Sequence, residues 1–533
     1  MLNPACPIRE LTAVWPCVSY YHSMGKEKSG KTARGARKPT RRARSAGGAR
    51  RAKTTEIARG ALRAIPSVDD VLGQPALEAL RRKHPVFPWT RLVREVMDTY
   101  RGLRQPPDEV DGADRASVRT WIVSEVELRV EELLRGGQRR VINGTGVLLH
   151  TNLGRAVLDQ SARAAVDEAL GHYVSLEVDL DTGRRSKRAT VLNRLLALAT
   201  GAEDAMIVNN NAAAVYLVAN SYSPPGRVVV SRGELVEIGG SFRLPEILRH
   251  AAAEVVEVGT TNRTYAGDYR KVARKGDILL KVHKSNYSMK GFVHEATYAE
   301  LAEVAKEKAC HAVYDLGSGA VFDYRSAGVG RDDRIEDVLS AGVACVTMSG
   351  DKLLGGMQAG LIVGRERFLE RLRQNPLRRA LRVDKVTIAG LQEVLRRYLF
   401  EPDTIAAIPL LGQVLGEEDA VRTRAESVTG GLSPQVRSAY EIDVVDDEAA
   451  VGGGSWSSAV VLSSAIRIRC ASDSDAVSLA RTMRRHVPPV ISRLKDREIR
   501  INMRSVMPYE DDELRAALER ILCGAIRRDS RQP

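Results

Sequence analysis

Cysteine, aromatic residues and long apolar runs are all scarce in this chain, and each scarcity excludes something. Six cysteines (Cys6, Cys17, Cys310, Cys345, Cys470 and Cys523) are scattered through 533 residues with no CxxC pair. The nine histidines form no cluster at metal-ligand spacing. This pattern argues against a disulfide framework and against zinc, and for a reducing compartment such as the cytoplasm. No run of about 18 apolar residues occurs, so no membrane span is expected. Aromatics are only 5% of the chain, but the hydrophobic fraction of 44% is ordinary for a globular protein. Cys345 lies in an apolar run and Cys310 at the end of a helical stretch. Neither sits in the mobile loop that a nucleophilic desulfurase cysteine needs.

Acidic residues are nearly missing from one stretch. Between Met24 and Lys53 there are twelve Lys or Arg and one Glu (Glu27), a net +11 out of +14 for the whole chain. The rest of the chain is close to balanced. Residues 1–23 carry Pro4, Pro7, Pro16 and Trp15 without a basic start and apolar core, so they do not read as a signal peptide, and Met24 is an alternative start. Residues 1–60 read as a disordered basic tail. Three roles stay open for it: a phosphate-binding arm for RNA, a solubilising tail, or an Arg-rich transit segment.

The length suggests two to four domains. Residues 65–136 show apolar positions at helical spacing: Trp89, Leu92, Val93, Val96 and Met97 mark one helix, and Val118, Ile122, Val126 and Leu128 another. Residues 137–400 alternate helical stretches with short apolar runs at 205–208, 227–231, 254–258, 277–282, 312–315, 343–348 and 361–363. Such alternation predicts βαβ units and a mostly parallel, doubly covered seven-stranded sheet. Residues 405–533 read as a smaller α/β domain with strands at 458–462, 465–469 and 498–502 and helices at 475–485 and 512–526.

The chemistry centres on Ser349-Gly-Asp-Lys-Leu-Leu-Gly-Gly-Met-Gln-Ala-Gly360. Lys352 follows the sixth apolar run and precedes a glycine-rich turn, a setting that desolvates an amine and makes it a nucleophile towards carbonyls. Asp315 stands at the C-terminal end of an earlier run, where ligands of open α/β sheets bind. Pyridoxal phosphate needs a lysine for its aldehyde and an acid for its pyridine nitrogen. Lys352 and Asp315 meet that need together. Asn209-Asn210-Asn211 opens a helix, and with Ser349 it offers donors for the cofactor phosphate, although Asn210 and Asn211 also suit plain N-capping. A lysine after the sixth strand matches the aspartate-aminotransferase-like (fold type I) architecture.

Four segments in order resemble the bacterial selenocysteine synthases, the L-seryl-tRNA(Sec) selenium transferases. They are the lysine segment itself, Val141-Ile-Asn-Gly-Thr-Gly-Val-Leu-Leu-His-Thr-Asn-Leu-Gly-Arg155, Asn375-Pro-Leu-Arg-Arg-Ala-Leu-Arg-Val-Asp-Lys385 and Val258-Gly-Thr-Thr-Asn-Arg-Thr264. The resemblance covers about residues 65–530. It implies conversion of seryl-tRNA(Sec) to selenocysteinyl-tRNA(Sec) with selenophosphate, through loss of the seryl hydroxyl and addition of selenium at the β-carbon. It also implies that the N-terminal helical domain grips the tRNA, and that the protein is a homo-oligomer, a decamer built as a ring of dimers. Arg155, Arg379 and Arg382 are assigned to the selenophosphate, and Asp351 to the catalytic surroundings. Arg379 and Arg382, three apart, are expected on one helical face. His150 and His283 read as structural. Two departures stand out: Met357 replaces a usual proline, and Trp456-Ser-Ser458 replaces a usual leucine-proline-glycine. The alternative activity is a pyridoxal-phosphate-dependent β-eliminating lyase acting on a free amino or sugar acid.

Overall fold

The computed structural model describes residues 63–529, apart from residues 104–105, 108–109, 113, 223–225, 239–241, 285–286, 288, 322 and 325–332. The expected basic tail therefore lies outside the described residues. The chain divides into two compact units between Gly137 and Gln138.

The first unit is helical: Val68–Leu72, Pro75–Lys83, Trp89–Gly102 and Arg115–Arg135. Its helices begin where local chemistry favours a start. The Ser67 hydroxyl accepts from Asp70 N, and the Asp114 carboxylate accepts from Ala116 N and Ser117 N. Caps of this kind contribute about 1 kcal/mol each. Trp89, Val93, Val96, Met97 and Tyr100 pack against Val118, Ile122, Val126 and Val130. Leu128, expected in this stripe, is 49% exposed. The buried row instead follows strict i, i+4 spacing from Val118 to Val130, which turns Leu128 to the solvent side.

The second unit holds two main sheets. The larger has seven strands in the order β2-β10-β9-β8-β7-β3-β6. Their ranges are β2 Asp204–Val208, β3 Val228–Ser231, β6 Val255–Val258, β7 Ile278–Val282, β8 His311–Gly317, β9 Cys345–Ser349 and β10 Gly360–Gly364. The pairings β9–β8, β8–β7, β7–β3 and β3–β6 are parallel, while β10 runs antiparallel to both β9 and β2. Every residue of β7, β9 and β10 is buried, as Val/Ile/Leu-rich strands covered on both faces must be. A two-residue ribbon, β4 Glu237–Ile238 with β5 Phe242–Arg243, stands apart from this sheet.

The smaller sheet is ordered β1-β13-β14-β12-β11, with β1 Ile142–Gly144, β11 Glu441–Gly452, β12 Ser455–Arg469, β13 Val490–Lys495 and β14 Glu498–Asn502. The two strands expected at 458–462 and 465–469 are one continuous strand, β12. Its partner β11 carries five acidic residues and so hides its strand character. Those acids meet arginines across the sheet: Asp443 accepts from Arg467 Nε at 2.8 Å, and Asp447 and Glu441 pair with Arg493 and Arg469. Charge pairing here does the work that apolar alternation does elsewhere. β1 comes from the front of the second unit yet joins the C-terminal sheet, parallel to β13.

Candidate active site

The C-terminal ends of β8 and β9 lie side by side, with Asp315 opposite Thr347 in register. Cys345, Thr347 and Ser349 alternate onto one face of β9, the same face against which the helix Asn211–Tyr222 packs. Two donors converge there on a single oxygen of Asp315. Asn211 Nδ2 donates to Oδ1 at 2.8 Å and Thr347 Oγ1 donates to it at 3.1 Å. Burial pushes the Asp315 carboxyl above the usual range, opposed by those two hydrogen bonds and by the nearby Lys352 and His283. His283 follows β7 directly, and its backbone N–H donates to the Asp315 carbonyl at 2.9 Å.

Lys352 is 6% exposed, in the turn after β9. Its Nζ lies 4.0 Å from the point where a Cβ on Gly317 would stand, and Gly317 has φ +68. Glycine at the end of β8 therefore both permits the left-handed turn and leaves room beside the amine. The Leu353 N–H donates to the Ser318 carbonyl at 2.9 Å and ties the lysine turn to the residues just past Asp315. Gly350 N to Ala359 O and Gly356 N to Gly350 O, each 2.9 Å, close this turn without the proline usual at 357. The Met357 side chain lies against Gly390.

Asp351 is buried beside the lysine and accepts from Arg155 Nη1 at 2.8 Å. The structure thus brings Arg155 to the lysine turn across 196 residues of sequence. Arg379 and Arg382 are placed differently from the single helical face expected. The helix Leu377–Ala380 is only four residues long, and Arg382 falls beyond it. Arg379 is exposed, and Arg382 Nη1 lies 3.5 Å from Glu177, which also takes Arg185 and Arg188. Those arginines hold the Glu177 carboxyl below its ordinary range. The segment is nonetheless anchored next to the asparagine turn, because Asn209 N donates to the Leu381 carbonyl at 2.9 Å.

Asn210 and Asn211 each spend one side-chain atom within the protein. Asn210 Oδ1 accepts from Ala213 N as a helix cap, and Asn211 serves Asp315. For an anion at this helix start there remain the first-turn backbone N–H groups, the Asn210 amide Nδ2 and Ser349. Gly360 allows β10 to pass close by: a Cβ there would stand 2.1 Å from the Asn210 carbonyl oxygen. Thr347 is the site residue that sequence reading missed. Its signal was its place two residues before Ser349 on the same strand face. Burial pushes the Cys345 thiol far up and the Cys310 thiol to about 11, so neither is an activated nucleophile.

The residues present fit pyridoxal phosphate. A buried amine lies near a carboxylate that is held by two donors on one oxygen, and the buried Asn211 Oδ1, Ser318 Oγ and Asp351 Oδ1 have no hydrogen-bond partner among the described residues. A mostly parallel seven-stranded sheet with the lysine after its sixth strand and the acid at an adjacent strand end defines the fold type I class of pyridoxal-phosphate-dependent enzymes. In keeping with that class, the fold is similar to the solved structure of D-glucosaminate-6-phosphate ammonia-lyase, at TM-score 0.52 and 18% identity over 73% of this chain and 97% of that one. Residues 141–507 match the family model described as L-seryl-tRNA selenium transferase, and residues 62–101 match the selenocysteine synthase N-terminal model. The chain is 40% identical over 469 residues to the L-seryl-tRNA(Sec) selenium transferase of Moorella thermoacetica, spanning 88% of this chain and 98% of that protein. It is also 40% identical to the Rhizobium meliloti enzyme of that name, over 83% of this chain and 94% of the relative. The chain belongs to the L-seryl-tRNA selenium transferase family.

Proposed function

We propose that this chain converts seryl-tRNA(Sec) to selenocysteinyl-tRNA(Sec), with pyridoxal 5'-phosphate as cofactor and selenophosphate as selenium donor. The juxtaposition of the Lys352 amine and the doubly held Asp315 carboxylate, in a chain of this family, is the observation that carries the reading. When bound, pyridoxal phosphate supplies an electron sink for the substrate's α-carbon. Lys352 would hold its aldehyde carbon and Asp315 the proton on its pyridine nitrogen, while the start of the helix Asn211–Tyr222 and Ser349 would take its phosphate.

The protein's own groups then have distinct tasks. With the cofactor bound, Lys352 would hold and release it, and its amine, buried beside Gly317, would serve as the base for the substrate's α-proton. The seryl hydroxyl would leave the β-carbon with the α-proton as water; water would then cleave the P–Se bond of selenophosphate, releasing phosphate, as selenium adds to the β-carbon and a proton returns to the α-carbon. Arg155, Arg379 and Arg382 bind the selenophosphate; a guanidinium fork suits such an oxyanion. Asp351 orients Arg155 through their 2.8 Å bond. In the helical unit a groove of about 920 Å³ is lined by Arg81, Arg82, Arg91 and Arg94, with Glu78, Glu95 and Asp98 among them. Its four exposed arginines outnumber these acids and suit an RNA backbone, and we assign the tRNA to it.

Incubation with seryl-tRNA(Sec) and selenophosphate, followed by analysis of the esterified amino acid, tests the proposal. Selenocysteine on the tRNA supports it. Serine left unchanged by protein that has bound the cofactor overturns it. A free amino or sugar acid as substrate would leave the matched N-terminal unit without a task. We assign a homo-oligomeric state, a decamer, to be checked by sedimentation. No helix among the described residues is long and apolar enough to cross a membrane.

A further inference from the structure

β3 ends at Ser231, while its neighbour β7 runs on to Val282. The parallel ladder between them stops at Val230 opposite Leu280. Beyond that point the His283 N–H turns towards β8 and donates to the Asp315 carbonyl. The Val282 N–H turns the other way, to the side that β3 has vacated. Glu234, from the short turn Arg232–Glu234, takes the missing place: its Oε2 accepts from Val282 N at 2.9 Å, and its Oε1 accepts from Lys281 Nζ at 2.7 Å. Glu234 is 3% exposed and Lys281 9%.

A buried ion pair is weak evidence for stability, since well-packed apolar side chains in the same volume often serve as well or better. An acceptor for an orphaned strand N–H is a sharper need. The bonded path leads straight to the site. Val282 stands opposite Asp315 in register, the next residue bonds the Asp315 carbonyl, and the Asp315 carboxylate is the group held by Asn211 and Thr347.

We infer that Glu234 and Lys281 are positioning residues, fixing the exit of β7 so that His283 and the Asp315 carboxylate stand at the right height for the cofactor's ring. This rests on the reading of Asp315 as the partner of the pyridine nitrogen. The charged surroundings suit such a clamp. Glu295 lies 3.8 Å from Lys281 Nζ and also pairs with Lys284, and the Tyr269 and Tyr287 hydroxyls feel Glu234. Burial pushes the Glu234 carboxyl up, and the Lys281 ammonium opposes that rise.

The test is titration of the full-length protein with pyridoxal phosphate, followed by visible absorbance across pH, with the thermal midpoint of the cofactor-free protein in parallel. Glu234→Ala should weaken cofactor affinity about tenfold, the loss expected for one charge-assisted hydrogen bond. Glu234→Gln keeps an acceptor for Val282 and should stay within about threefold of wild type on the same scale. Lys281→Met leaves the buried carboxylate without its ammonium and should weaken cofactor affinity several-fold, a loss that Glu234→Gln added to it should largely recover. Glu234→Ala protein that melts earlier but binds cofactor with wild-type affinity and spectrum overturns the inference. If that variant does not fold, Lys281→Met decides alone, and wild-type cofactor affinity in it overturns the inference. Wild-type protein that fails to take up cofactor would sink the reading of the site itself, a different result from either.

Discussion

Replacing Thr347 with valine isolates one hydrogen bond at the centre of the site. Thr347 is fully buried and in a strand, so β-branched valine fits its volume and backbone without opening a cavity. The change removes only the hydroxyl that donates to Asp315 at 3.1 Å. A hydrogen bond to a charged group contributes about 1.5–3 kcal/mol, and the length of this one places it at the lower end, about 1.5 kcal/mol. That corresponds to about tenfold in cofactor affinity. Asn211→Ala removes the shorter 2.8 Å bond and should cost about 2–3 kcal/mol, or roughly 30- to 150-fold. The pH dependence has a definite sign. Burial already raises the Asp315 pKa, so in cofactor-free protein the ionised form costs stability above the ordinary carboxylate range. That cost disappears as pH falls through the raised pKa. Losing a donor that favours the charged form raises the pKa further. Thr347→Val protein should therefore release its cofactor at a higher pH on acidification than wild type, and its cofactor-free thermal midpoint at neutral pH should also fall, because the further-raised pKa deepens the cost of keeping the carboxylate ionised. Absorbance titrations at a series of pH values, with melting curves, measure both. Unchanged affinity with an unchanged pH midpoint would refute the claim that Asp315 is held ionised for the cofactor.

Other outcomes follow from the same geometry. Lys352→Ala protein should lose the visible absorbance of bound cofactor and show no borohydride-trapped adduct at that position. Arg155→Met leaves the buried Asp351 carboxylate unpaired, which should cost about 3–5 kcal/mol of stability and lower the melting midpoint; Asp351→Asn added to it should recover part of that loss. Gly360→Ala places a methyl group against the backbone carbonyl of Asn210, a contact that cannot yield, and should cost about 1–3 kcal/mol and weaken cofactor retention. Charge reversal at Arg82 and Arg91 should weaken tRNA binding and reduce the salt slope of log Kd by roughly 1–2, with cofactor uptake unchanged.

The parts of this fold that were legible in the sequence are those in which one local signal decides the outcome. The seven strands of the larger sheet are short apolar runs bounded by turns, and each appeared within a residue or two of its expected place. Lys352 and Asp315 were found because strand ends followed by glycine announce themselves. The strands that escaped are held by partners distant in sequence. β11 reads as an acidic loop until Arg467, Arg469 and Arg493 are seen opposite it. β1 is three residues long, and its partner β13 lies some 350 residues away. Asn211 was assigned to a phosphate because a helix start attracts anions. That its carboxamide reaches Asp315 instead depends on the register of β8 against β9, which no window of sequence contains. Glu234 escaped for the same reason: its acceptor role exists only because β3 stops short of β7.

The excursion of β1 into the C-terminal sheet couples two regions that a linear map of the chain keeps apart. From β1 the backbone passes to Leu148 and Leu149, whose N–H groups donate to the carbonyls of Ala450 and Val451 at 3.0 and 2.7 Å. It then turns at His150 towards Arg155, whose guanidinium holds Asp351 beside the reactive amine. Arg155 is thus carried by a segment bonded to the C-terminal sheet, while Asp351 and Lys352 sit in the turn after β9 of the larger sheet. The Arg155–Asp351 ion pair is therefore a direct link between the two sheets beside the lysine turn.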